Sequence, residues 1–413
     1  MEILYILLVL LVVTRFFGEL AERAGQPALV GELVSGIVLG LVVGQYAATF
    51  PILSGLTEDR VFIAMTDLGI FFLMLFAGIE MHPSELARAS QKAVLIAVGG
   101  MVVPLALGIG VGWWVLPASE LKAAQALFVG VALAITAVPV SIKILMDLGK
   151  LDTEVGKIIV SAAVIDDILS LILLAILTAV IKTGALPGLG GLALLGGKIL
   201  LFFAITIGLG YYAFPRLDAL RRTFQVEEFA FSSLLIIALG YAVLAEALNL
   251  HFILGAFVAG LFFIRQIIDE PVYDDLKNKV AGLTKGFFAP VFFASIGLHL
   301  DLSALTIIPL FVLGIIVAAT VGKLVGTGIP AYWAGLSRAD ALAVGFGMNA
   351  RGAVELIIAD IAFRAGLFSQ PTPTPDLVAS LFSAIVIMAI VTTLLAPVSL
   401  RLCFRRAGAE PTA

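Results

Sequence analysis

Apolar runs of about 20 residues recur along the whole chain and are separated only by short polar breaks. A helix needs about 20 such residues to cross the hydrocarbon core of a bilayer, so each run is long enough to span a membrane. The composition agrees, because 61% of the 413 residues are hydrophobic and only 13% are charged, against roughly 25% in soluble proteins. With a mean hydropathy of +1.13, the sequence excludes a soluble globule and predicts an all-α polytopic protein of the lipid bilayer.

Charge and cysteine content exclude two further classes. The single cysteine, Cys403, rules out a disulfide-stapled secreted domain. The net charge of −4 provides no basic surface for nucleic acid, so we expect no such partner. The first residues, MEILYILLVLLVVTRFF, lack a basic region and a cleavage site, so they are interpreted as a first span rather than a signal peptide.

The hydropathy pattern accommodates thirteen spans. They are predicted at residues 2–22, 27–44, 61–79, 92–116, 124–146, 154–181, 191–214, 228–248, 251–266, 282–298, 304–333, 340–363 and 376–400. Lysine and arginine concentrate in the loops that are cytoplasmic if the N-terminus lies outside. We therefore expect an outside N-terminus, a cytoplasmic C-terminus and a location in the inner membrane of a prokaryote.

Two of the predicted spans share an unusual pattern. Residues 124–146 and 340–363 each have an apolar half, a polar or helix-breaking middle and a second apolar half. They are the fifth and the twelfth span, and because this offset of seven is odd, they would cross the membrane in opposite directions, as in inverted repeats with interrupted helices. We expect one transmembrane domain without a soluble regulatory part. Its predicted divisions are a first repeat at about 2–181, a linker helix at about 191–214 and a second repeat at about 228–400.

Asp166 and Asp167 lie side by side near the middle of the span 154–181. A charge at that depth costs at least about 2.5–3.5 kcal/mol, so two adjacent acids need a reason. Neighbours on a helix diverge by about 100°, so one can bind a cation while the other contacts another helix. Carboxylate oxygens can carry either a proton or a monovalent cation, and the alternative is a pair of acids neutralised by a nearby base.

Lys323 is a buried base near the middle of the span 304–333. It lies too deep to reach the membrane surface and needs an acidic partner, for which Asp166 is the natural candidate. The predicted pair is either a static link between helices or one that opens and closes with ion binding.

The interrupted spans carry further candidates. Thr136 lies at a helix break that Pro139 completes. The carbonyls freed there and the Thr136 hydroxyl are suitable oxygen ligands for an alkali cation. The alternative is a simple proline kink. Arg351 and Glu355 are four residues apart on one helix face and can pair. Arg351 could also neutralise the ends of two facing half-helices.

Several segments together resemble the monovalent cation:proton antiporters, on their second branch, which includes NapA-type sodium/proton exchangers and Kef-type potassium efflux systems. These segments are GQPALVGELVSGIVLG, LGIFFLMLFAGIEM, AAVIDD, ILMDLGKL, FFAPVFFASIGLHLDLSAL, VGKLVG and MNARGAVELIIA, and they cover essentially the whole chain.

The resemblance implies about thirteen transmembrane helices, an NhaA/NapA-like fold with inverted repeats and two broken crossing helices, and a homodimer. It implies that Asp167 carries the ion and the proton, and that Asp166 pairs with Lys323. Asp167, Asp166 and Thr136 would form the cation site, with Arg351 and Glu355 in the second crossing. Ala137 stands where relatives often carry Ser or Asp, which removes one cation ligand.

The predicted function is exchange of a monovalent cation, Na⁺ before Li⁺ or K⁺, for H⁺ by alternating access, with no cofactor. A proton leaving Lys323 or Asp166 would let the cation in, and two protons per cation would make transport electrogenic. A Kef-like potassium efflux protein or a cation channel is the alternative. An enzyme is not expected, because the GxGD motif of intramembrane aspartyl proteases and the phosphate loop of ATP-driven pumps are both missing.

Overall fold

In the computed structural model, every regular element among the described residues is a helix. These residues are 2–46, 48–50, 52–53, 55–81, 90–137, 141–142, 145–146, 148–183, 188–221, 228–263 and 270–407. The chain divides into two compact units, and each unit combines a segment from the first half with one from the second. One unit contains Met1–Pro83 and Pro187–His299, and the other contains Ser84–Leu186 and Leu300–Ala413.

The first unit is built mainly from apolar helices that pack in pairs. Its helices are α1 (Glu2–Arg23), α2 (Ala28–Gln45), α3 (Arg60–Glu80), α7 (Leu189–Arg221), α8 (Phe229–Ala247), α9 (Phe252–Phe262), α10 (Glu270–Leu283) and α11 (Ala289–His299). A short π-helical segment, Thr284–Phe288, joins α10 to α11. The main pairs are α1 with α2, α2 with α11, α3 with α9 and α8 with α9.

Two glycines allow helices α2 and α11 to approach closely. A Cβ added to Gly36 on α2 would overlap the carbonyl oxygen of Ala294, and one added to Gly297 would overlap that of Leu33. Small residues are the usual means by which membrane helices bring their backbones together. This glycine face of α2 is therefore in contact with α11.

Replacement of Gly36 by alanine is expected to destabilise the protein. The added methyl group meets backbone rather than a flexible side chain, so α2 and α11 must separate, at a cost of about 1–3 kcal/mol. Gly44→Ala on the same helix is the matched control, because Gly44 has open space around it. Thermal melting of the purified proteins in detergent should show a lower Tm for Gly36→Ala alone. Equal melting of the two variants would contradict the close approach.

The second unit contains the remaining helices. They are α4 (Gln91–Val115), α5 (Lys122–Ala134), α6 (Glu154–Thr183), α12 (Pro309–Lys323), α13 (Ile329–Trp333), α14 (Arg338–Gly347), α15 (Ala353–Arg364) and α16 (Leu381–Ala407). A π-helical segment, Leu324–Gly328, joins α12 to α13. Four-residue helices lie at Ala304–Ile307 and Asp376–Ala379.

Most predicted spans coincide with helices to within a few residues. Ten helical stretches in the described part of the chain are long and apolar enough to cross a membrane, and Lys122–Ala134 and Phe252–Phe262 are shorter apolar helices. The two spans predicted to be interrupted are interrupted: α5 ends at Ala134, and residues 348–352 separate α14 from α15. Of the break predicted at 136–139, Val138 and Pro139 lie outside the described residues.

Part of the segment between the predicted spans 251–266 and 282–298 is helical. The residues before the span 282–298, including Lys277 and Lys279, belong to helix α10, which begins at Glu270. This stretch is polar overall, so its hydropathy hides it. However, Tyr273, Leu276 and Val280 are buried at helical spacing, and this narrow apolar face is enough to fix the helix against its neighbours.

Candidate functional site

The two interrupted helices of the second unit meet at their breaks. The backbone N–H of Ala137 donates to the carbonyl of Ala350 over 2.8 Å. The Thr136 hydroxyl, fully buried, donates to the carbonyl of Met348 over 3.0 Å. Backbone groups at helix ends have no partner within their own helix. In these two bonds, residues of the first break donate hydrogen bonds to such backbone carbonyls of the second break.

Arg351 closes the end of α5. Its Nη1 atom donates to the carbonyls of Ala132, over 2.7 Å, and Ile135, and its Nη2 donates to that of Leu133 over 2.6 Å. The last carbonyls of a helix carry a partial negative charge, which a guanidinium balances. The fully buried cation therefore joins the two breaks.

Glu355 lies one turn after Arg351, in the first turn of α15. Its Oε2 atom is 3.7 Å from Arg351 Nε, which is an ion-pair distance but too long for a hydrogen bond. Both side chains are fully buried. Both carboxylate oxygens of Glu355 are without a hydrogen-bond partner in the described part of the chain. Arg351 is thus at ion-pair distance from Glu355, and its Nη atoms contact the end of one of the two interrupted helices, α5.

Lys323 and Asp166 form a completely buried pair between α12 and α6. Lys323 Nζ lies 3.5 Å from Asp166 Oδ2, and neither side chain has any exposed surface. Asp166 Oδ1 has no hydrogen-bond partner among the described residues. One carboxylate oxygen is therefore held by the ammonium, while the other stays available to a ligand.

Asp167 differs from its neighbour in its surroundings. It is only half-buried, and the residues that the structure describes give it no hydrogen bond and no ion pair. The divergence of successive side chains on a helix explains the difference, because α6 can turn only one of the two acids fully into its packed face. Asp166 is paired with Lys323, whereas Asp167 has no such partner among the described residues.

Glycines make room beside Lys323. A Cβ on Gly100 of α4 would collide with the methyl group of Thr327 and lie 4.0 Å from Lys323 Nζ. Gly99 and Gly326 approach each other so closely that a Cβ on either would overlap the other's carbonyl oxygen. The π-helical segment that follows Lys323 therefore packs directly on the backbone of α4.

Sequence reasoning assigned no role to several polar groups of this region. Asn349, buried in the second break, directs Nδ2 toward Thr320 Oγ1 at 3.5 Å, and its Oδ1 has no partner within the described residues. Ser141 donates to the carbonyl of Gly347 over 2.6 Å, and Thr393 donates to that of Arg351 over 3.0 Å. The sequence feature that could have pointed to these residues is their position, as polar groups, in or beside interrupted apolar spans.

A membrane fold with two crossed helix breaks and a buried Asp–Lys pair defines a secondary transporter of small ions. The comparison with known sequences agrees, since residues 6–406 match the family described as "Sodium/hydrogen exchanger, transmembrane". The chain belongs to this family, and it is a monovalent cation/proton antiporter rather than an enzyme.

Individual relatives cover nearly the full chain. The Na(+)/H(+)-K(+) antiporter GerN of Bacillus cereus is 31% identical over 98% of this chain and 96% of its own length. The Na(+)/H(+) antiporter of Enterococcus hirae is 30% identical over 97% of this chain and 98% of its own length. These matches confirm the family resemblance, the antiport function and the non-enzymatic class expected from the sequence.

The fold has a solved counterpart. The sodium proton antiporter MjNhaP1 from Methanocaldococcus jannaschii aligns with a TM-score of 0.71 over 98% of this chain and 99% of that one, at 18% sequence identity. The chain thus has the all-helical antiporter fold, with two joined broken helices.

Proposed function

We propose that this antiporter exchanges Na⁺ for H⁺ by alternating access and that Asp167 carries the transported ion. The observation that carries the proposal is the difference between the two adjacent acids. Asp166 lies 3.5 Å from Lys323, whereas Asp167 has no partner among the described residues. A free carboxylate beside a paired one can take either a proton or a cation, and both ions then compete for a single group.

The cation ligands proposed are oxygens of Asp167, Asp166 and Thr136. Hard oxygen donors suit alkali cations, and Asp166 Oδ1 is a buried oxygen without a hydrogen bond in the described part of the chain. The Thr136 hydroxyl uses its proton on Met348, so its lone pairs stay available. Arg351 and Glu355 keep the crossing of the broken helices electrically balanced.

Asp166 and Lys323 are the proposed coupling pair. A cation that engages Asp166 competes with the ammonium of Lys323, so entry of the cation opens the pair, and a second proton leaves Lys323 or Asp166 for water. Two protons per Na⁺ make the exchange electrogenic.

Potassium is the second candidate for the transported cation. The relative GerN is named for both Na⁺ and K⁺, and Ala137 leaves the site without the hydroxyl or carboxylate that many relatives carry there. Lithium, which is chemically close to Na⁺, is a third cation to test.

The wider arrangement proposed is thirteen spans in two inverted repeats, with a linker helix between them. Each compact unit draws one segment from each half of the chain, as expected when two repeats interleave. The distribution of Lys and Arg supports an outside N-terminus and a cytoplasmic C-terminus. We further propose a homodimer in the prokaryotic inner membrane.

Everted vesicles with an acidified interior test the cation and the stoichiometry. Addition of Na⁺ should collapse the pH gradient, and K⁺ or Li⁺ should do so to the extent that the site accepts them. In proteoliposomes the reversal potential should move with the membrane voltage, because net charge crosses the bilayer. A voltage-independent reversal would exclude two protons per Na⁺, and flux of a cation without proton movement would favour a channel.

A further inference from the structure

Ser170 is a completely buried residue of α6 whose hydroxyl has no hydrogen-bond partner among the described residues. A serine or threonine inside a helix commonly donates to the carbonyl three or four residues earlier. Thr178, further along the same helix, does so with the carbonyls of Leu174, over 2.9 Å, and Ala175, over 3.0 Å. A buried hydroxyl without a partner is costly, so we expect the Ser170 oxygen to bind something else.

Ser170 and Asp166 lie on the same face of α6. They are four residues apart, and side chains at this spacing are neighbours, with Cβ atoms about 5–6 Å apart. Asp166 is also completely buried, and its Oδ1 has no hydrogen-bond partner in the described part of the chain. The two oxygens therefore belong to adjacent side chains, are withdrawn from solvent and do not bond to each other.

Ser170 also adjoins Asp167. At about 100° per residue, Ser170 is rotated by about 40° from Asp166 and by about 60° from Asp167, so around the helix axis it lies between the two acids, one turn later. The equivalent position one turn earlier is Ala163, which has no side-chain oxygen. Within α6, Ser170 is thus the side chain that adjoins both acids and carries an oxygen.

The buried face that holds Ser170 continues to the crossing of the broken helices. Helices α5, α14 and α15 all pack on α6. A Cβ added to Gly347, at the end of α14, would lie 2.8 Å from Ile159 Cδ1 of α6. Ile159, Asp166 and Ser170 fall on one face of the helix, and all three are buried. This face therefore leads from the second break to the two unpartnered oxygens.

The chemistry of these oxygens suits an alkali cation. Lys323 Nζ lies 3.5 Å from Asp166 Oδ2, so Oδ1 is the carboxylate oxygen that remains for a ligand. The carboxylate supplies negative charge, and the hydroxyl supplies a hard, neutral oxygen with two lone pairs. Hard oxygen donors of both kinds are the ligands that hard cations prefer.

We propose that the Ser170 hydroxyl is a further ligand of the transported cation, bound together with the carboxylates of Asp166 and Asp167. The inference rests on the proposed function, because it adds a ligand to the cation site described there. The hydroxyl contributes an oxygen without contributing charge. Its loss should therefore weaken cation binding but leave the acids able to exchange the cation for protons.

Ser170→Ala tests the assignment through the dependence of exchange on Na⁺ concentration in everted vesicles. Its KM for Na⁺ should rise about ten- to a hundredfold, the loss expected for one polar contact to a charged group. The rate at saturating Na⁺ should stay close to that of the wild type. The matched control is Thr178→Val, because the Thr178 hydroxyl is used within its own helix. An unchanged KM in Ser170→Ala would overturn the inference.

Binding without transport provides a second readout. Sodium chloride should raise the Tm of the purified wild type and of Thr178→Val at the same concentrations, with choline chloride as the blank. Ser170→Ala should need about ten- to a hundredfold more Na⁺ for the same rise, in proportion to its weaker binding. An equal response of Ser170→Ala would mean that the hydroxyl does not contact the cation.

Ser170→Cys covers the case in which alanine disturbs the packing of α6. Cysteine fills the space of the serine side chain, but its soft sulfur is a poor ligand for a hard alkali cation. We expect its Tm in choline chloride to be close to that of the wild type and its KM for Na⁺ to be raised as in Ser170→Ala. A wild-type KM in Ser170→Cys would show that the volume of the side chain matters rather than its oxygen, and would overturn the inference.

Failure of the proposed function has a different signature. If Na⁺, K⁺ and Li⁺ all leave the pH gradient and the Tm of the wild type unchanged, the exchange itself is refuted. If the wild type responds and Ser170→Ala responds at the same concentrations, exchange stands and only the role of Ser170 falls.

Discussion

Asp167→Asn is expected to reduce cation-dependent proton movement to the level of vesicles without the transporter. Asparagine preserves the size of the side chain but can neither carry a negative charge nor exchange a proton, so both competing ions lose their group. The change should leave folding intact, because Asp167 makes no hydrogen bond or ion pair among the described residues. Loss of transport would then be a direct effect on the ion site.

The matched control is Asp152→Asn, an exposed acid just before the same helix. It should transport like the wild type in everted vesicles loaded to equal amounts of protein. Asp167→Glu, which restores the charge at a longer reach, should recover part of the activity. Full activity of Asp167→Asn would remove Asp167 from the carrier role.

Arg351→Met is expected to cause the largest loss of stability. The substitution leaves three buried carbonyls without their guanidinium donor and Glu355 without its nearest cation. Removal of one partner from a buried ion pair alone costs about 3–5 kcal/mol, and each unsatisfied buried carbonyl adds about 1–3 kcal/mol. Yield and Tm in detergent should both fall sharply.

Arg23→Met provides the comparison. Arg23 pairs with Glu19 at 2.8 Å, but both side chains are largely exposed, and such pairs contribute about 0–1 kcal/mol. Arg351→Lys should recover little of the lost Tm, since one ammonium cannot replace a planar guanidinium that donates to three carbonyls. If Arg351→Met and Arg23→Met have the same Tm, the guanidinium of Arg351 does not hold the two breaks together.

The sequence was most informative where burial of charge is costly. Hydropathy predicts most helix bounds because each span must be apolar over about 20 residues. Lys323 needs a buried acid, and Asp166 is its partner at 3.5 Å. For Arg351 the same reasoning predicts a pair with Glu355 and a contact with helix ends, and in the structure its Nε atom faces Glu355 while its Nη atoms face the end of α5.

Other features depend on tertiary packing and carry little local signal. Helix α10 is polar overall, and its stability comes from a few buried residues that only the folded unit defines. The contacts of Ser141 and Thr393 with distant carbonyls arise from the crossing of the breaks. The π-helical segments at Thr284–Phe288 and Leu324–Gly328 are likewise local deviations in otherwise regular apolar helices.

The π-helical segment after Lys323 also sets a rotational phase. A π-helical turn accommodates about one residue more than an α-helical turn, which shifts the faces of the flanking helices by about 100° relative to a continuous α-helix. The helix can therefore aim Lys323 at Asp166 and, a few residues later, turn Tyr332 and Trp333 outward. The extra residue therefore sets the rotation of one helical part relative to the other. Deletion of one residue from Leu324–Gly328 would misalign the Lys323 ammonium with Asp166, although no residue of the site itself had been substituted.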